Sequence, residues 1–359
     1  MTIATRSAPV EVQAVTKRYG DVVAVDAVSF TIEAGHLVTL LGPSGCGKTT
    51  TLRMIAGLEV PSAGRILIGG ADVTRLPPSE RDVSMVFQSY ALFPHMTVME
   101  NVSYGLAGLP KAVQRDKAQE GLRLVGLQGY ENRLPSELSG GQQQRVACAR
   151  ALVLEPRVLL FDEPLSNLDA KLRRRMRDDI RELQQNLGLT SVYVTHDQEE
   201  ALAVSDRIIV MDQGRIAQEG SPSDLYERPA SAFVADFIGG ANLVRCEMIE
   251  WAGGHAVVRL GPLQLRLPSR ERPERATLVI RPSAVQLERT NGAGSLPAKV
   301  RKATYLGSHW DLALQTDIGD LYVVSQMQPA EFAAGDIVHL RPDQSRLALV
   351  SGDAQPGRS

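Results

Sequence analysis

The sequence lacks any segment that could carry the chain across a membrane by itself. No run of about 18 apolar residues occurs in its 359 residues, so we expect no membrane-spanning helix. The N-terminus has no charged stretch followed by an apolar one, so a secretory signal is not expected. Any role at a membrane would therefore depend on a partner.

Cysteine is scarce, and neither sign of charge dominates. The three cysteines, Cys46, Cys148 and Cys246, show no disulfide or zinc-binding spacing, which favours a reducing cytoplasm. The formal net charge of -2 gives no reason to expect nucleic acid as the main partner. Hydrophobic residues make up 43% of the chain, enough for folded cores, and the length is sufficient for two domains.

Continuous apolar runs predict a parallel β-sheet in the first part of the chain. Residues 37–41 read Leu-Val-Thr-Leu-Leu, as expected of a strand buried on both faces. Helical stretches separate it from similar runs at residues 158–161, 192–195 and 208–211. This order is typical of an α/β domain with right-handed crossovers.

The segments around this sheet have other patterns. Residues 10–32 alternate, with Val23, Val25 and Ala27 on one face, which predicts strands of a mostly antiparallel sheet. Residues 88–150 have little strand signal and contain a capping box at Thr97-Val98-Met99-Glu100, which indicates a helical insertion. A long amphipathic helix is predicted after Asp169, ending at Gly188.

These patterns divide the chain into two expected domains. The first is an α/β domain at residues 10–238, with its helical subdomain at about 88–150. The second is a small β domain at residues 240–352, because short apolar segments separated by turn residues are typical of a β-barrel or sandwich. Residues 1–9 and 353–359 are expected to be flexible tails.

A glycine-rich loop predicts binding of a nucleoside triphosphate. It lies between the buried strand and a helix predicted from Lys48, so backbone amides and a helix N-terminus can face phosphate oxygens. Lys48 is expected to reach the β- and γ-phosphates, and Thr49 to bind Mg²⁺. The alternative, a chance glycine turn, is disfavoured by the flanking strand and helix. The predicted ATP-binding residues here are Gly42, Pro43, Ser44, Gly45, Cys46, Gly47, Lys48, Thr49 and Thr50.

Polar side chains follow three other predicted strands of this sheet. Asp162 and Glu163 end one strand, His196 ends another, and Gln88 follows a further predicted strand at residues 85–87. Because the carboxyl ends of parallel strands meet at one edge, these side chains should face the triphosphate. We expect Asp162 and Gln88 to bind Mg²⁺, Gln88 also to contact the attacking water, and Glu163 to act as general base. His196 is expected to contact the γ-phosphate. Each residue alone could instead be a structural strand end.

A second phosphate-binding pattern stands at Ser139-Gly140-Gly141-Gln142. The spacing fits an ordinary capping box, with Ser139 as the N-cap and Gln142 at the third helical position. A cap needs neither glycine, whereas two glycines let a phosphate approach the amides of the first helical turn. Since the glycine-rich loop already binds one triphosphate, this second pattern suggests a site shared between two chains.

Taken together, these motifs resemble the ATP-binding cassette family. The matching segments, in family order, are Walker A at 42–49, Gln88, the signature at 138–142, Walker B at 158–163, the loop at 166–169, and His196. The resemblance covers about residues 10–238. It implies a head-to-tail homodimer that binds two ATP molecules, each held between one chain's Walker A loop and the other chain's signature. Asp169 matches the last residue of the family's D-loop. Tyr19 matches the aromatic residue that stacks on adenine, although it could be an ordinary strand-end tyrosine.

The chain looks most similar to the importer branch whose cassettes carry a C-terminal TOBE-type β domain of OB-like fold. Ile280-Arg281-Pro282 and Tyr305-Leu306-Gly307 resemble recurrent turns of that domain. Residues 88–96 look more like the polyamine, ferric iron and aminoethylphosphonate members than the maltose members. The resemblance thus implies the ATP-hydrolysing subunit of an importer for a small solute.

The family also implies partners and a location. An apolar set after Gln88 corresponds to the groove that receives a cytoplasmic helix of the membrane subunit, although core packing is an equal alternative: Ala91, Leu92, Phe93 and Met96. The implied partners are two integral membrane permease subunits and, indirectly, a solute-binding protein, with no nucleic acid. The implied location is peripheral, at the cytoplasmic face of the inner membrane.

Three other functions are considered. An exporter's motor domain is disfavoured by the β tail and by the absence of a fused membrane segment. A soluble cassette ATPase acting on DNA or ribosomes usually carries two cassettes or a coiled coil, and a basic face. A regulatory sensor in the C-terminal domain could coexist with transport. The transported solute is not encoded in these residues, since its binding sites belong to other subunits.

Overall fold

The chain folds into two units. The structure, a computed structural model, describes residues 6–269, 272, 275–292, 294–326 and 332–352. Residues 1–5 and 353–359 of the predicted tails lie outside the described residues. The units are Met1–Pro222 and Ser223–Ser359. The division thus falls before the boundary expected near residue 239.

The N-terminal unit contains the α/β fold and a helical region. Its strands are β1 (Val10–Tyr19), β2 (Val22–Ile32), β3 (Leu37–Leu41), β4 (Ala63–Ile68), β5 (Ala71–Asp72), β6 (Val83–Val86), β7 (Val158–Asp162), β8 (Thr190–Thr195), β9 (Arg207–Asp212) and β10 (Arg215–Gly220). Its helices are α1 (Lys48–Ala56), α2 (Val98–Ser103), α3 (Lys111–Leu124), α4 (Gly140–Leu152), α5 (Ala170–Leu187) and α6 (Gln198–Val204).

The central sheet has the strand order β10-β9-β3-β8-β7-β6. Strands β9, β3, β8, β7 and β6 are parallel, and β10 pairs with β9 in the antiparallel sense. Every residue of β3, β7 and β8 is buried, because helices or the second sheet cover both faces. The parallel sheet predicted from the apolar runs is confirmed.

A second sheet, of order β2-β1-β4-β5, is antiparallel as predicted. One detail of the predicted alternation was wrong. Val25 is buried, but Ala27 is exposed and has a φ of 48°, where the register between β1 and β2 shifts. This β-bulge inserts an extra residue, so the buried face resumes at Val28 instead of continuing through Ala27.

Helices occupy the region between β6 and β7. The capping box predicted at Thr97 is present, since its hydroxyl accepts from the Glu100 amide and the Glu100 carboxylate accepts from the Thr97 amide. The long helix predicted after Asp169 is α5, which Asp169 caps and which ends at Gly188 in the left-handed conformation. Met176 and Ile180 bury its apolar face.

The C-terminal unit is an antiparallel β structure. It begins with the helices α7 (Pro222–Glu227), whose first residue lies just before the division, and α8 (Ala232–Phe237). Its strands are β11 (Asn242–Arg245), β12 (Glu247–Ala252), β13 (His255–Leu260), β14 (Leu263–Pro268), β15 (Ala276–Ile280), β16 (Val285–Glu288), β17 (Leu296–Tyr305), β18 (Trp310–Thr316), β19 (Gly319–Ser325), β20 (Ile337–Pro342) and β21 (Leu347–Ser351). They form curled sheets around one apolar core, consistent with the predicted OB-like fold.

A buried arginine attaches both short helices to the C-terminal unit. The guanidinium of Arg281 donates hydrogen bonds to the carbonyl oxygens of Tyr226, Ala235 and Ile238, and stacks 4.2 Å from the Tyr226 ring centre. These carbonyls lie at the C-terminal ends of α7 and α8, where helix carbonyls lack intrahelical partners. This contact is consistent with a division that assigns nearly all of α7 and the whole of α8 to the C-terminal unit.

A second buried arginine fixes the far end of α1. Arg81 donates from Nη1 to the carbonyls of Met54 and Ile55 at 2.7 and 3.1 Å, and from Nε to Leu76 at 2.8 Å. It is 2% exposed and lies just before β6. Gly57 leaves room for it, since a Cβ at this position would lie 2.5 Å from the Arg81 Nε.

We expect Arg81→Met to destabilise the N-terminal unit. The substitution keeps an apolar stem but leaves buried carbonyl oxygens without donors, at a cost of about 3 kcal/mol. In thermal unfolding, the transition of this unit should fall by roughly 8 °C. Arg75→Met, at an exposed position, is the control and should leave it nearly unchanged. Equal unfolding temperatures for the two variants would contradict the role assigned to Arg81.

Candidate nucleotide site

The predicted site residues follow neighbouring strands of the central sheet. In the parallel register, Leu41 pairs with Thr195, and Val194 pairs with Asp162. The glycine-rich loop after β3, His196 after β8, and Glu163 after β7 therefore emerge at the same edge. Gln88 follows β6, which pairs with β7. The structure thus brings the residues that follow these strands to one sheet edge, as expected.

The glycine-rich loop encloses the ammonium group of Lys48. Lys48 Nζ donates to the carbonyl oxygens of Gly42 at 2.7 Å and Pro43 at 2.9 Å, and lies 3.8 Å from Cys46 Sγ. The side chain is 6% exposed. A cation held inside a loop at a helix N-terminus gives a strong local preference for an anion.

Two glycines of this loop are required by close backbone approach. A Cβ at Gly42 would lie 2.3 Å from the carbonyl oxygen of Met211. Gly47, with φ of 102°, would meet the carbonyl oxygen of Ala24 at 2.6 Å. The loop is thereby seated against β9 and β2, and Ser44 and Gly45 remain exposed at its tip.

Thr49 and Asp162 form a candidate metal site. Thr49 Oγ1 donates to Asp162 Oδ1 at 3.4 Å across the space between α1 and β7. A hydroxyl and a carboxylate are hard oxygen ligands of the kind Mg²⁺ prefers, so these residues fit that ion. Burial raises the pKa of Asp162, Arg53 opposes the rise, and the charge of Glu163 adds to it.

Glu163 and His196 are hydrogen-bonded partners. The Glu163 Oε2 and His196 Nδ1 atoms are 3.1 Å apart. Glu163 has a φ of 45°, an unusual value for a residue other than glycine, and such strain is concentrated at functional sites. Its amide donates to the Val194 carbonyl at 3.0 Å, and its carbonyl accepts from Ser166 Oγ at 3.1 Å. The backbone is thus fixed on both sides of the carboxylate.

The 166–169 loop is tied to the residue that follows β6. Asn167 Nδ2 donates to the Gln88 carbonyl oxygen at 3.0 Å. Asp169, at the end of the loop, caps α5 by accepting from the Leu172 amide at 2.9 Å. The Gln88 side chain is exposed. The sequence motifs predicted that both loops belong to the site. No sequence pattern predicted the hydrogen bond between Asn167 and Gln88.

The Ser139 region forms the ordinary capping box that was the alternative to a phosphate-binding site. Ser139 Oγ accepts from the Gln142 amide at 3.4 Å, and Gln142 Oε1 accepts from the Ser139 amide at 2.8 Å. The glycines also have a packing role that sequence reasoning missed. A Cβ at Gly141 would lie 2.8 Å from Leu172, and one at Gly140 would lie 3.0 Å from Leu168.

Tyr19 lies at the end of β1 with 47% of its surface exposed. Lys17 Nζ lies 4.9 Å from its ring centre. An exposed aromatic face is what an adenine ring could stack on. The geometry is equally that of a strand-end tyrosine, so its role stays a prediction.

The apolar set after Gln88 is only partly exposed. Ala91 is exposed, but Leu92 packs against the main core, and Phe93 and Met96 are half-buried. Arg150 of α4 donates to the carbonyl oxygens of the preceding Tyr90 and Ala91, and so fixes this segment. Among the described residues, no helix is both long enough and apolar enough to span a membrane.

Comparison with protein families gives two matches. A profile described as "ABC transporter" matches residues 25–166, and one described as "TOBE domain" matches residues 278–350.

Curated relatives match most of the chain. The "Fe(3+) ions import ATP-binding protein FbpC" of Agrobacterium fabrum is 62% identical over 313 residues, 86% of this chain and 88% of the relative. The protein of the same name from Rhizobium etli is 58% identical over 342 residues, 94% of this chain and 97% of the relative. The one from Photorhabdus laumondii is 49% identical over 338 residues, 87% of this chain and 93% of the relative.

Solved structures match the cassette portion. A dimeric post-hydrolysis state of the ATP-binding cassette MJ0796, bound to ADP and Pi, has a TM-score of 0.53 at 34% identity and covers 59% of this chain and 98% of its own. CbiO1 from Clostridium perfringens is described as part of an ABC transporter complex. It has a TM-score of 0.57 at 30% identity and covers 60% of this chain and 89% of its own.

Proposed function

The chain belongs to the ABC transporter family, and from that premise we propose that it is the ATP-hydrolysing subunit of an importer for ferric ions. The observation that carries the activity is the meeting of Lys48, Asp162 and Glu163 at one sheet edge. The ferric cargo, among the solutes considered from sequence, is supported by the names of the curated relatives.

We propose that ATP binds in the glycine-rich loop. The Lys48 ammonium, now bonded to loop carbonyls, would bind β- and γ-phosphate oxygens, which are stronger acceptors because they are charged. The amides of the loop and of the first turn of α1 would complete the contacts with phosphate. Tyr19 would stack on the adenine.

Magnesium would be held by Thr49 and Asp162, with Gln88 as a further ligand. When bound, the ion would neutralise charge that builds up on the phosphate oxygens during transfer. The 3.4 Å separation of the Thr49 and Asp162 oxygens supports this donor set, because both face the same space.

Glu163 would act as the general base. Its carboxylate would take a proton from water while the water oxygen bonds to the γ-phosphorus. The bond from the γ-phosphorus to the bridging oxygen breaks, and ADP leaves with that oxygen. His196 would orient the carboxylate by donating from Nδ1 and, when its Nε2 also carries a proton, would donate to the γ-phosphate. The hydrogen bonds to the Glu163 backbone hold the base in place.

The Ser139–Gln142 segment would complete the site of a second copy. The MJ0796 cassette, at 34% identity, is described as a dimer, which supports a head-to-tail pair of chains. ATP would then lie between the Walker A loop of one chain and the signature segment of the other. Asp169 would lie close to that interface as part of the D-loop.

Closure of this dimer would drive the transport cycle through membrane permease subunits. The segment at 91–96 would receive a permease helix at the cytoplasmic face of the membrane, and a solute-binding protein would deliver the cargo. Ala91 offers exposed surface for this contact, and half-buried Phe93 adds an aromatic edge. The relatives' names give no support to the exporter and nucleic-acid alternatives.

Glu163→Gln should keep ATP affinity and lose hydrolysis. The amide cannot accept the proton, so we expect kcat to fall by about 10²- to 10⁴-fold. Steady-state phosphate release measures the rate, and size-exclusion chromatography with ATP should detect an accumulated dimer. Glu33→Gln, at an exposed turn, is the control. Turnover within a few-fold of wild type would mean that Glu163 is not the base.

Mixing two inactive variants tests the shared site. Ser139→Asp keeps a good N-cap but places a carboxylate where phosphate should bind, and Lys48→Ala removes the phosphate ligand. Each variant alone should be inactive. Their mixture should recover hydrolysis, because a heterodimer contains one site with both Lys48 and Ser139 intact. Ser139→Thr, which keeps cap and hydroxyl, should stay active. No recovery on mixing, or an active Ser139→Asp homodimer, would contradict the shared site.

The cargo can be measured with the complete transporter. We expect the chain, reconstituted in vesicles with its permease subunits and solute-binding protein, to drive ATP-dependent uptake of radioactive ferric iron. The same vesicles carrying Glu163→Gln should take up none. Saturable uptake of spermidine or 2-aminoethylphosphonate without ferric iron would replace iron as the cargo while leaving the ATPase assignment intact.

A further inference from the structure

Arg173 lies where two parts of the site meet, and sequence reasoning did not single it out. It occupies the first turn of α5, directly after the 166–169 loop. Its Nη2 donates to the Leu168 carbonyl oxygen at 3.1 Å, so it holds the end of that loop. Its Nη1 donates to Asp197 Oδ2 at 3.2 Å, next in sequence to His196. One guanidinium therefore joins the two loops.

A buried carboxylate lies beside the other side of the guanidinium. Glu200 Oε1 lies 3.7 Å from Arg173 Nε, and Glu200 is 3% exposed. Its Oε2 accepts from Thr195 Oγ1 at 2.9 Å and from Tyr193 OH at 3.2 Å, both on β8. Burial raises the pKa of Glu200, and hydrogen bonds from Thr195 and Tyr193 and the charge of Arg173 oppose the rise. The cluster places Arg173 close to β8, the strand that His196 follows.

The far side of the 166–169 loop contacts the rest of the site. Ser166 Oγ donates to the Glu163 carbonyl, and Asn167 Nδ2 donates to the Gln88 carbonyl. A displacement of this loop would therefore reach Glu163 directly and His196 through Arg173. Hydrogen bonds of this kind transmit position because the planar guanidinium has fixed donor directions.

We propose that Arg173 is a positioning residue that couples the 166–169 loop to His196, so that loop movement on dimer closure sets the Glu163–His196 pair. The coupling to hydrolysis rests on the proposed function, whereas the link between the loop and His196 does not. Arg173 touches neither nucleotide nor water in this role. It acts through Leu168 on one side and Asp197 on the other.

The kinetic test is Arg173→Gln, with Arg177→Gln as the matched control. Arg177 lies one turn further along α5 and donates to the Glu199 carbonyl, away from the 166–169 loop. We expect Arg173→Gln to lower kcat roughly tenfold, with KM for ATP unchanged within about twofold. Arg173→Lys should recover little, since lysine lacks the planar fork whose two terminal nitrogens reach the two acceptors. A purely structural role would instead lower the unfolding temperature and leave kcat per folded molecule unchanged.

A second measurement does not depend on hydrolysis. In histidine-labelled protein without nucleotide, the imidazole NMR signal of His196, assigned with His196→Gln, should move in Arg173→Gln and stay in place in Arg177→Gln. If wild type hydrolyses ATP, an unchanged kcat or an unmoved His196 signal in Arg173→Gln overturns the proposal. If wild type proves inactive, the proposed function fails, and the His196 signal alone decides whether the link exists.

Discussion

The parallel pairing of β3, β8 and β7 is the constraint on which the site depends. Because these strands run in register, the residues after each of them arrive at one edge. A slip of one residue would move Asp162 by about 3.3 Å. That distance equals nearly the whole 3.4 Å separation between the Thr49 and Asp162 oxygens, so the candidate metal-binding pair would be lost. Complete burial of the strands on both faces makes such a slip costly.

Segments outside the sheets lack the regular hydrogen bonds between strands. Arginine side chains hold several of these segments in place. Arg81 holds the end of α1, Arg150 holds the segment after Gln88, and Arg281 holds α7 and α8. In each case the acceptors are backbone carbonyl oxygens. An arginine can serve several carbonyls at once, because it carries five N–H donors in a planar fork. The helix C-terminus also favours the positive charge.

Sequence patterns predicted the helices and strands, which have a periodic signature. They missed individual side-chain contacts, which have none. The buried strands, α1, α5 and both capping boxes follow from local periodicity and spacing, and the structure has them. The bulge at Ala27 depends on the pairing of β1 with β2, which no local pattern encodes. Likewise, no spacing rule joins Arg150 to the carbonyls of Tyr90 and Ala91, about 60 residues away. Backbone acceptors carry no side-chain signature, so such links are visible only in three dimensions.

The capping box at Ser139 and a phosphate site there are compatible. At a helix N-terminus the first amides lack intrahelical acceptors. The box satisfies the amides of Ser139 and Gln142 through each other's side chains. The amides of Gly140 and Gly141 come between them and receive nothing from the box. The cap thus orders the turn and leaves two adjacent donors for an anion. Packing of Gly141 on Leu172 explains why that residue is small, but it uses no N–H group. The capping box and the glycine packing account for the shape of the turn. A phosphate of a second chain's ATP would accept from the amides of Gly140 and Gly141, which the box does not use.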